Sequence, residues 1–261
     1  PGQLDPALRD QLLMAVVGAA EEEGISSVHF LFTPESWLEE RGLIHRTGCQ
    51  FHWKNRDFVD FAHFLDSLTS KRRKEVLRER RKVREAGIVT RCRKGMELSP
   101  EEWVIFHRLY CGTFEKHGNY PALSASFFQR IGSLMGEKIL IVEALRSDEV
   151  VGAAFFMIGE DTLLGRYWGA SEEIPALHFE LCFYQGIEYA IASGLSRFEP
   201  GAQGEHKISR GFLPELTHSY HWIRNAGFRD AIARHVVLEN KQVAEYMQAC
   251  SEHSPYRVDS C

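Results

Sequence analysis

Residues 200–212 read PGAQGEHKISRGF, and four of them, Glu205, His206, Lys207 and Arg210, place one acid, one base that titrates near neutrality and two cations close together. The glycines of the same stretch let backbone approach a ligand closely, and the run shows no helical period, so a loop is expected. It follows Phe198-Glu199 at the end of a predicted strand, where site residues of α/β sheets collect, which makes Glu199 a candidate contact.

A second group of charges lies upstream. Residues 71–94, KRRKEVLRERRKVREAGIVTRCRK, carry twelve Lys or Arg against three Glu, a net +9; with −5 for the whole chain, the remainder carries −14. The helical part, 70–86, offers only Val76, Leu77 and Val83 as large apolar residues, a thin stripe that anchors one side and leaves several arginines free. Such a run is commonly a solvated helix face. It also suits a phosphate-bearing ligand, with Lys71, Arg72, Arg73, Arg80 and Arg81 as candidate contacts.

Other chemistry-bearing types are less suggestive. The six cysteines, at 49, 92, 111, 182, 250 and 261, form no CxxC pair and read as reduced packing thiols, consistent with a cytoplasmic protein. Among twelve histidines no ligand spacing stands out, since His218 and His221 fall on opposite faces of a predicted strand; no metal site is expected. His117 and Tyr120, after a predicted helix, are candidate acceptor contacts, although a helix C-cap at Gly118 would make them bystanders. Trp168 would floor a pocket, and Glu180 either faces the site or pairs with a cation.

These residues need a scaffold, and the chain repeats part of one. QFHWKNRDF at 50–58 returns as SYHWIRNAGF at 219–228; Gly42-Leu43 then falls opposite Gly211-Phe212 and Gly24 opposite Gly194. Each glycine of the latter pair closes a helical pattern and precedes a strand pattern, so two units of one type are expected. Ahead of the second copy stand a strand at 88–94, a helix at 100–116 with Ser99 as N-cap and Pro100 at its first position, a helix at 124–135, and three strands, KILIVEAL, VVGAAFFMI and TLLGRYWGA, split by polar turns. No counterpart precedes residue 12, so the first unit is expected to lack its N-terminal half. The reading divides the chain into 1–56, 57–87 (connecting helices, the second basic) and 88–261. The link at 33–41, TPESWLEER, reads as a short helix where the second copy has the glycine-rich loop. At 44% hydrophobic and 26% charged residues, with no apolar run of 18 residues and no signal-peptide pattern, the profile is that of a soluble globular chain.

The element order of the second unit is similar to that of the GNAT acyltransferase fold, an α/β class with a mixed sheet, and a tandem pair of such units resembles the Fem-type aminoacyltransferases. The strings SSVHFLF, QFHWKNRDF, FEKHGNYPALSASFF, HFELCFYQGIEYAI and FEPGAQGEHKISRGFLPELTHSYHWI resemble the bacterial Fem-like family of peptidoglycan biosynthesis or recognition over nearly the whole chain. The resemblance implies transfer of an aminoacyl group, with aminoacyl-tRNA as donor and an amine of a cell-wall precursor as acceptor. Lys207 is similar to the lysine of the Fem Phe-Lys motif, with His206 in place of Phe. On that footing Lys207 and Arg210 would stabilise an oxyanion or a phosphate, and His206 or Glu205 would take the proton of the attacking amine.

Acyl-CoA is the alternative donor. The segment ahead of the helix at 178, GASEEIPAL, has one glycine and two adjacent glutamates, Glu172 and Glu173, a poor cradle for a pyrophosphate. A CoA-dependent N-acetyltransferase with an atypical site, and a non-catalytic module binding nucleic acid or glycan through the basic helix, are the competing readings.

Overall fold

The computed structural model describes residues 5–33, 42–201 and 204–257. In chain order the elements are α1 (Pro6–Glu22), β1 (Ser27–Thr33), β2 (Ile44–Lys54), α2 (Phe61–Ser67), α3 (Ser70–Glu85), β3 (Val89–Lys94), α4 (Pro100–Lys116), α5 (Ala125–Met135), β4 (Ile139–Arg146), β5 (Glu149–Ile158), β6 (Thr162–Ala170), α6 (Leu177–Phe179), α7 (Gln185–Ala192), β7 (Arg197–Glu199), β8 (Leu213–Ile223) and α8 (Ala226–Glu252). A π turn, Glu180–Tyr184, joins α6 to α7, and a 3-10 helix, Glu205–Arg210, precedes β8.

Local chemistry accounts for many of these boundaries. At the start of α4 the Glu102 N–H donates to Ser99 Oγ at 3.3 Å, and the Glu102 carboxylate accepts from the Ser99 N–H at 2.7 Å. Between β4 and β5, Ser147 and Asp148 both hold positive φ, +50° and +67°, the signature of a type I′ hairpin turn. The duplicated landmarks behave alike. Gly24 and Gly194 take φ +75° and +65°, and the next residue in each case, Ile25 or Leu195, donates its N–H five residues back at 2.9 Å. Asn55 and Asn225, from the repeated His-Trp stretch, each accept the N–H of the phenylalanine three residues on, at 2.9 Å.

Grouped by contact, the chain forms two compact units, 1–50 with 214–253 and 51–213 with 254–261. This grouping differs from the segments drawn along the sequence, because most of β8 and all of α8 fall with the first 50 residues. In the first unit β1 runs antiparallel to β8, which neighbours β2, and α8 packs Ile232, Ala233 and Val236 against Ile44 and Ile223. In the second, β3, β4, β5 and β6 pair antiparallel in succession, β7 lies parallel to β6, and the end of β2 pairs with β7 at Trp53 and Lys54.

Successive residues of β5 fill opposite layers of that second sheet. Phe155 joins Trp103, Phe106 and Phe128 beneath α4 and α5, whereas Phe156 meets Phe198 on the side of α7. Gly169 lets α4 lie directly on β6: a Cβ there would stand 2.0 Å from the Leu109 carbonyl oxygen. Trp53 of the repeated pair is buried against Phe58 and Phe64, a packing role.

One expectation changes. Residues 205–210 are helical rather than loop, with Lys207, Ile208 and Arg210 buried, because tertiary packing supplies what the local pattern lacks. The short helix expected at 33–41 falls, beyond Thr33, outside the described residues.

Candidate functional site

The parallel pairing of β6 with β7 covers only Thr162, Leu163 and Leu164 opposite Arg197, Phe198 and Glu199. β7 stops there, while β6 runs on to Ala170, past a bulge that leaves Arg166 unpaired against β5. Gly165 marks the parting: its Cβ would stand 3.1 Å from Pro200, where the chain leaves β7. The carboxyl ends of adjacent parallel strands are the usual place for a ligand.

Two cavities lie at this end. The larger, about 780 Å³, is lined by Gly112 and Thr113 of α4, by Trp168, by the 171–176 segment, and by His178 and Phe179. The smaller, about 70 Å³, is bounded by Gly165, Arg166, Trp168, His178, Cys182 and Pro200. Trp168 and His178, with ring centroids 4.7 Å apart, line both.

The 3-10 turn brings its charges to the same place. Lys207 is buried and donates from Nζ to the Gly201 carbonyl at 2.7 Å. Burial of the ammonium pulls its pKa down to about 8, an effect the nearby Cys182 partly opposes. The His206 ring lies 6.4 Å from His178 and 5.8 Å from Phe183, and burial, then Arg210 and Lys207, hold its pKa below the ordinary value. His178 is pushed to about 4 by burial first, then by His206, Arg210 and Lys207. Burial raises the Cys182 thiol far above its ordinary value. Near pH 7 the group therefore comprises two neutral imidazoles, a protonated thiol and a cationic lysine. Lys207 lines neither cavity, but it stands close enough to His178 and Cys182 to perturb both.

Arg210 serves the turn itself. Its Nη2 and Nε donate to Glu79 at 2.5 and 3.2 Å, its Nη1 donates to the His206 carbonyl at 2.6 Å, and its guanidinium sits 3.5 Å over Phe179. The Tyr184 hydroxyl also donates to Glu79. Arg80 is spent similarly: it binds Glu180 at 2.9 Å and Glu188 at 2.8 Å and lies over the Phe61 ring. Arg210 and Arg80, expected to contact substrate, are thus engaged in ion pairs, and Glu180 takes the second of its two expected roles, pairing with a cation; none of the three lines either cavity.

The other expected contacts scatter. Arg72 and Arg73 pair with Glu75 and Asp66 at 2.9 and 2.7 Å, and Arg81 faces Glu85 at 3.6 Å. Lys71 is exposed on α3, Glu205 is exposed at the head of the turn, and Glu199 faces Arg197 at 3.8 Å. His117 lines the larger cavity from the end of α4; Tyr120, fully exposed, does not. The repulsion expected of Glu172 and Glu173 is offset, since each lies 2.6 Å from a cation, Arg146 and Lys116. His178, Phe179 and Cys182 were missed in the sequence, although His178 and Cys182 stand one helical turn apart just after the β6 join. Among the described residues no cluster of three or more His, Cys, Asp or Glu side chains could hold a metal ion, and no helix is long and apolar enough to cross a membrane.

The model of the FemAB-like family, described as peptidoglycan biosynthesis/recognition, matches residues 1–258. Similar solved structures include a DUF2156 C-terminal domain from Agrobacterium fabrum (TM-score 0.62, 13% identity, 90% of this chain and 77% of that one). FemX gives a TM-score of 0.58 at 13% identity over 88% and 80% of the two chains. L-PGS from Bacillus licheniformis gives 0.58 at 14% identity over 86% and 77%. At these identities the likeness is one of fold, a mixed α/β architecture. No curated protein matches the chain.

Proposed function

The chain belongs to the FemAB-like family, and on that premise we propose that it is an N-acyltransferase passing an aminoacyl group from aminoacyl-tRNA to an amine of a cell-wall precursor. The observation that carries this reading is Lys207, a buried cation at the parted ends of β6 and β7, beside neutral His206 and His178. The acceptor amine attacks the ester carbonyl of the donor. The ammonium of Lys207 stabilises the oxyanion of the tetrahedral intermediate. Neutral His206 takes the proton from the attacking nitrogen, and collapse expels the ribose hydroxyl, which recovers that proton. The exposed cations of α3, in the same compact unit as Lys207, would grip donor phosphates. A tRNA donor places the reaction in the cytoplasm.

One observation favours a CoA thioester instead. The segment 171–176 lines the larger cavity, and its glutamates are paired with cations, which lessens their repulsion of a pyrophosphate. Micromolar binding of CoA in calorimetry would select that donor.

The test is transfer of a labelled amino acid from aminoacyl-tRNA to a precursor amine. Lys207→Ala is expected to lower kcat roughly 100-fold or more, the effect of losing one oxyanion partner. Equal transfer by the two proteins would remove Lys207 from the mechanism.

A further inference from the structure

Residues 255–257 lie along 67–69, the joint between α2 and α3. The Thr69 N–H donates to the Pro255 carbonyl at 2.8 Å, and the Arg257 N–H donates to that of Ser67 at 2.9 Å. Arg257 Nε adds a bond to the Leu68 carbonyl at 3.1 Å, and Leu68 and Tyr256 form an antiparallel bridge. Residues 255–257 are therefore a strap fastened across the joint by main-chain bonds.

From that strap the Tyr256 ring is buried, with the Arg56 guanidinium 3.9 Å from its centroid. Its hydroxyl donates to the Gly211 carbonyl at 2.7 Å. Gly211 closes the turn that carries Lys207: it holds φ +99°, and its N–H donates to the Ile208 carbonyl at 3.1 Å. A Cβ at this glycine would stand 2.9 Å from the Phe64 ring of α2 and 3.1 Å from the Tyr256 hydroxyl. One residue on, the Phe212 N–H donates back to the Lys207 carbonyl at 3.2 Å. The turn is thus tied at Arg210 to Glu79 of α3 and at Gly211, through Tyr256, to the joint where α3 begins.

We propose that Tyr256 is a positioning residue for acyl transfer, holding the Lys207 turn against α2 and α3 through its hydroxyl bond to the Gly211 carbonyl and so setting where the ammonium stands. This rests on the reading of Lys207 as the cation that meets the oxyanion. A tyrosine that only filled space would act through its ring, and phenylalanine would replace it without consequence. The hydroxyl matters because it ties the Gly211 carbonyl, at the end of the turn, to the strap outside it.

The test compares wild type with Tyr256→Phe and with Arg56→Gln, which releases the ring from its surface cation. Two readouts are taken on folded protein: transfer kinetics, and the pH dependence with which Lys207 is labelled by an amine-reactive reagent, followed by peptide mass spectrometry. Tyr256→Phe is expected to lower kcat roughly tenfold with little change in KM. It should also raise the labelling midpoint of Lys207 from about 8 towards the ordinary lysine value as water reaches the turn. Arg56→Gln should move both readouts in the same direction by less. A folded Tyr256→Phe protein with the wild-type midpoint and kcat overturns the proposal. If no variant transfers an aminoacyl group but Tyr256→Phe still shifts the midpoint, the strap stands and the assigned reaction falls.

Discussion

Lys207 carries two consequences of opposite sign in pH. Under the proposed reaction Lys207 must be protonated to meet an oxyanion, so with a pKa near 8 transfer should fall as pH rises through that value. The imidazole of His206, held below its ordinary pKa, is already a free base at neutrality, so the rising limb lies on the acid side. Lys207→Arg should keep a charge and move the falling limb beyond the measurable range, at reduced kcat. A pH profile of kcat/KM for the two proteins checks this, and a rate that rises through pH 8 would make Lys207 a base rather than an electrostatic partner. Stability runs the other way. Below pH 8 the lysine is charged both folded and unfolded, and folding must desolvate the ammonium. Between about 8 and the ordinary lysine value the folded chain sheds its proton first, so stability rises with pH across that window.

Among the elements, α3 and the 3-10 turn are joined by a pair whose loss should be felt in stability. The side chains of Arg210 and Glu79 are only 6% and 12% exposed, so solvent does little to screen their contact. Glu79→Gln keeps the shape but leaves a buried guanidinium uncompensated and weakens the acceptor for Tyr184; it should cost about 3–5 kcal/mol in chemical denaturation. This contact also shows what a sequence can and cannot disclose. Ser99 and Pro100 announce α4 because a helix start is local, and the polar turn between β4 and β5 announces its hairpin for the same reason. Glu205, Lys207 and Arg210 were read into one loop, yet their helical conformation depends on a carboxylate more than a hundred positions upstream. Arg80 stood out as one more charge in a basic run; its partners Glu180 and Glu188 lie on the segments that follow β6, and no spacing rule connects them. His178 and Cys182 gave only a spacing of four, which core helices share.

At the scale of the whole chain, the question is where a polyanion could settle on a protein whose net charge is −5. The basic segment 71–94 loses part of its apparent charge to carboxylate partners: Arg80 to Glu180 and Glu188, Arg91 to Glu143, and Arg93 to Glu102. Among the described residues, no carboxylate pairs with Lys71, Lys74, Arg78 or Lys82, and all four are exposed on α3. At 100° per residue they share one face, a row about 16 Å long that can follow a phosphate backbone. The residues outside 71–94 sum to −14 and repel phosphates, so binding should be held by α3. Four such contacts give a log–log salt dependence of roughly −3 to −4 for tRNA, and the double reversal Lys74→Glu with Arg78→Glu should flatten it by about two. Anisotropy titrations of labelled tRNA across a salt series measure both slopes. If the reversal leaves the slope unchanged, tRNA is held elsewhere and α3 is a solvated face, its cations serving solubility rather than the donor.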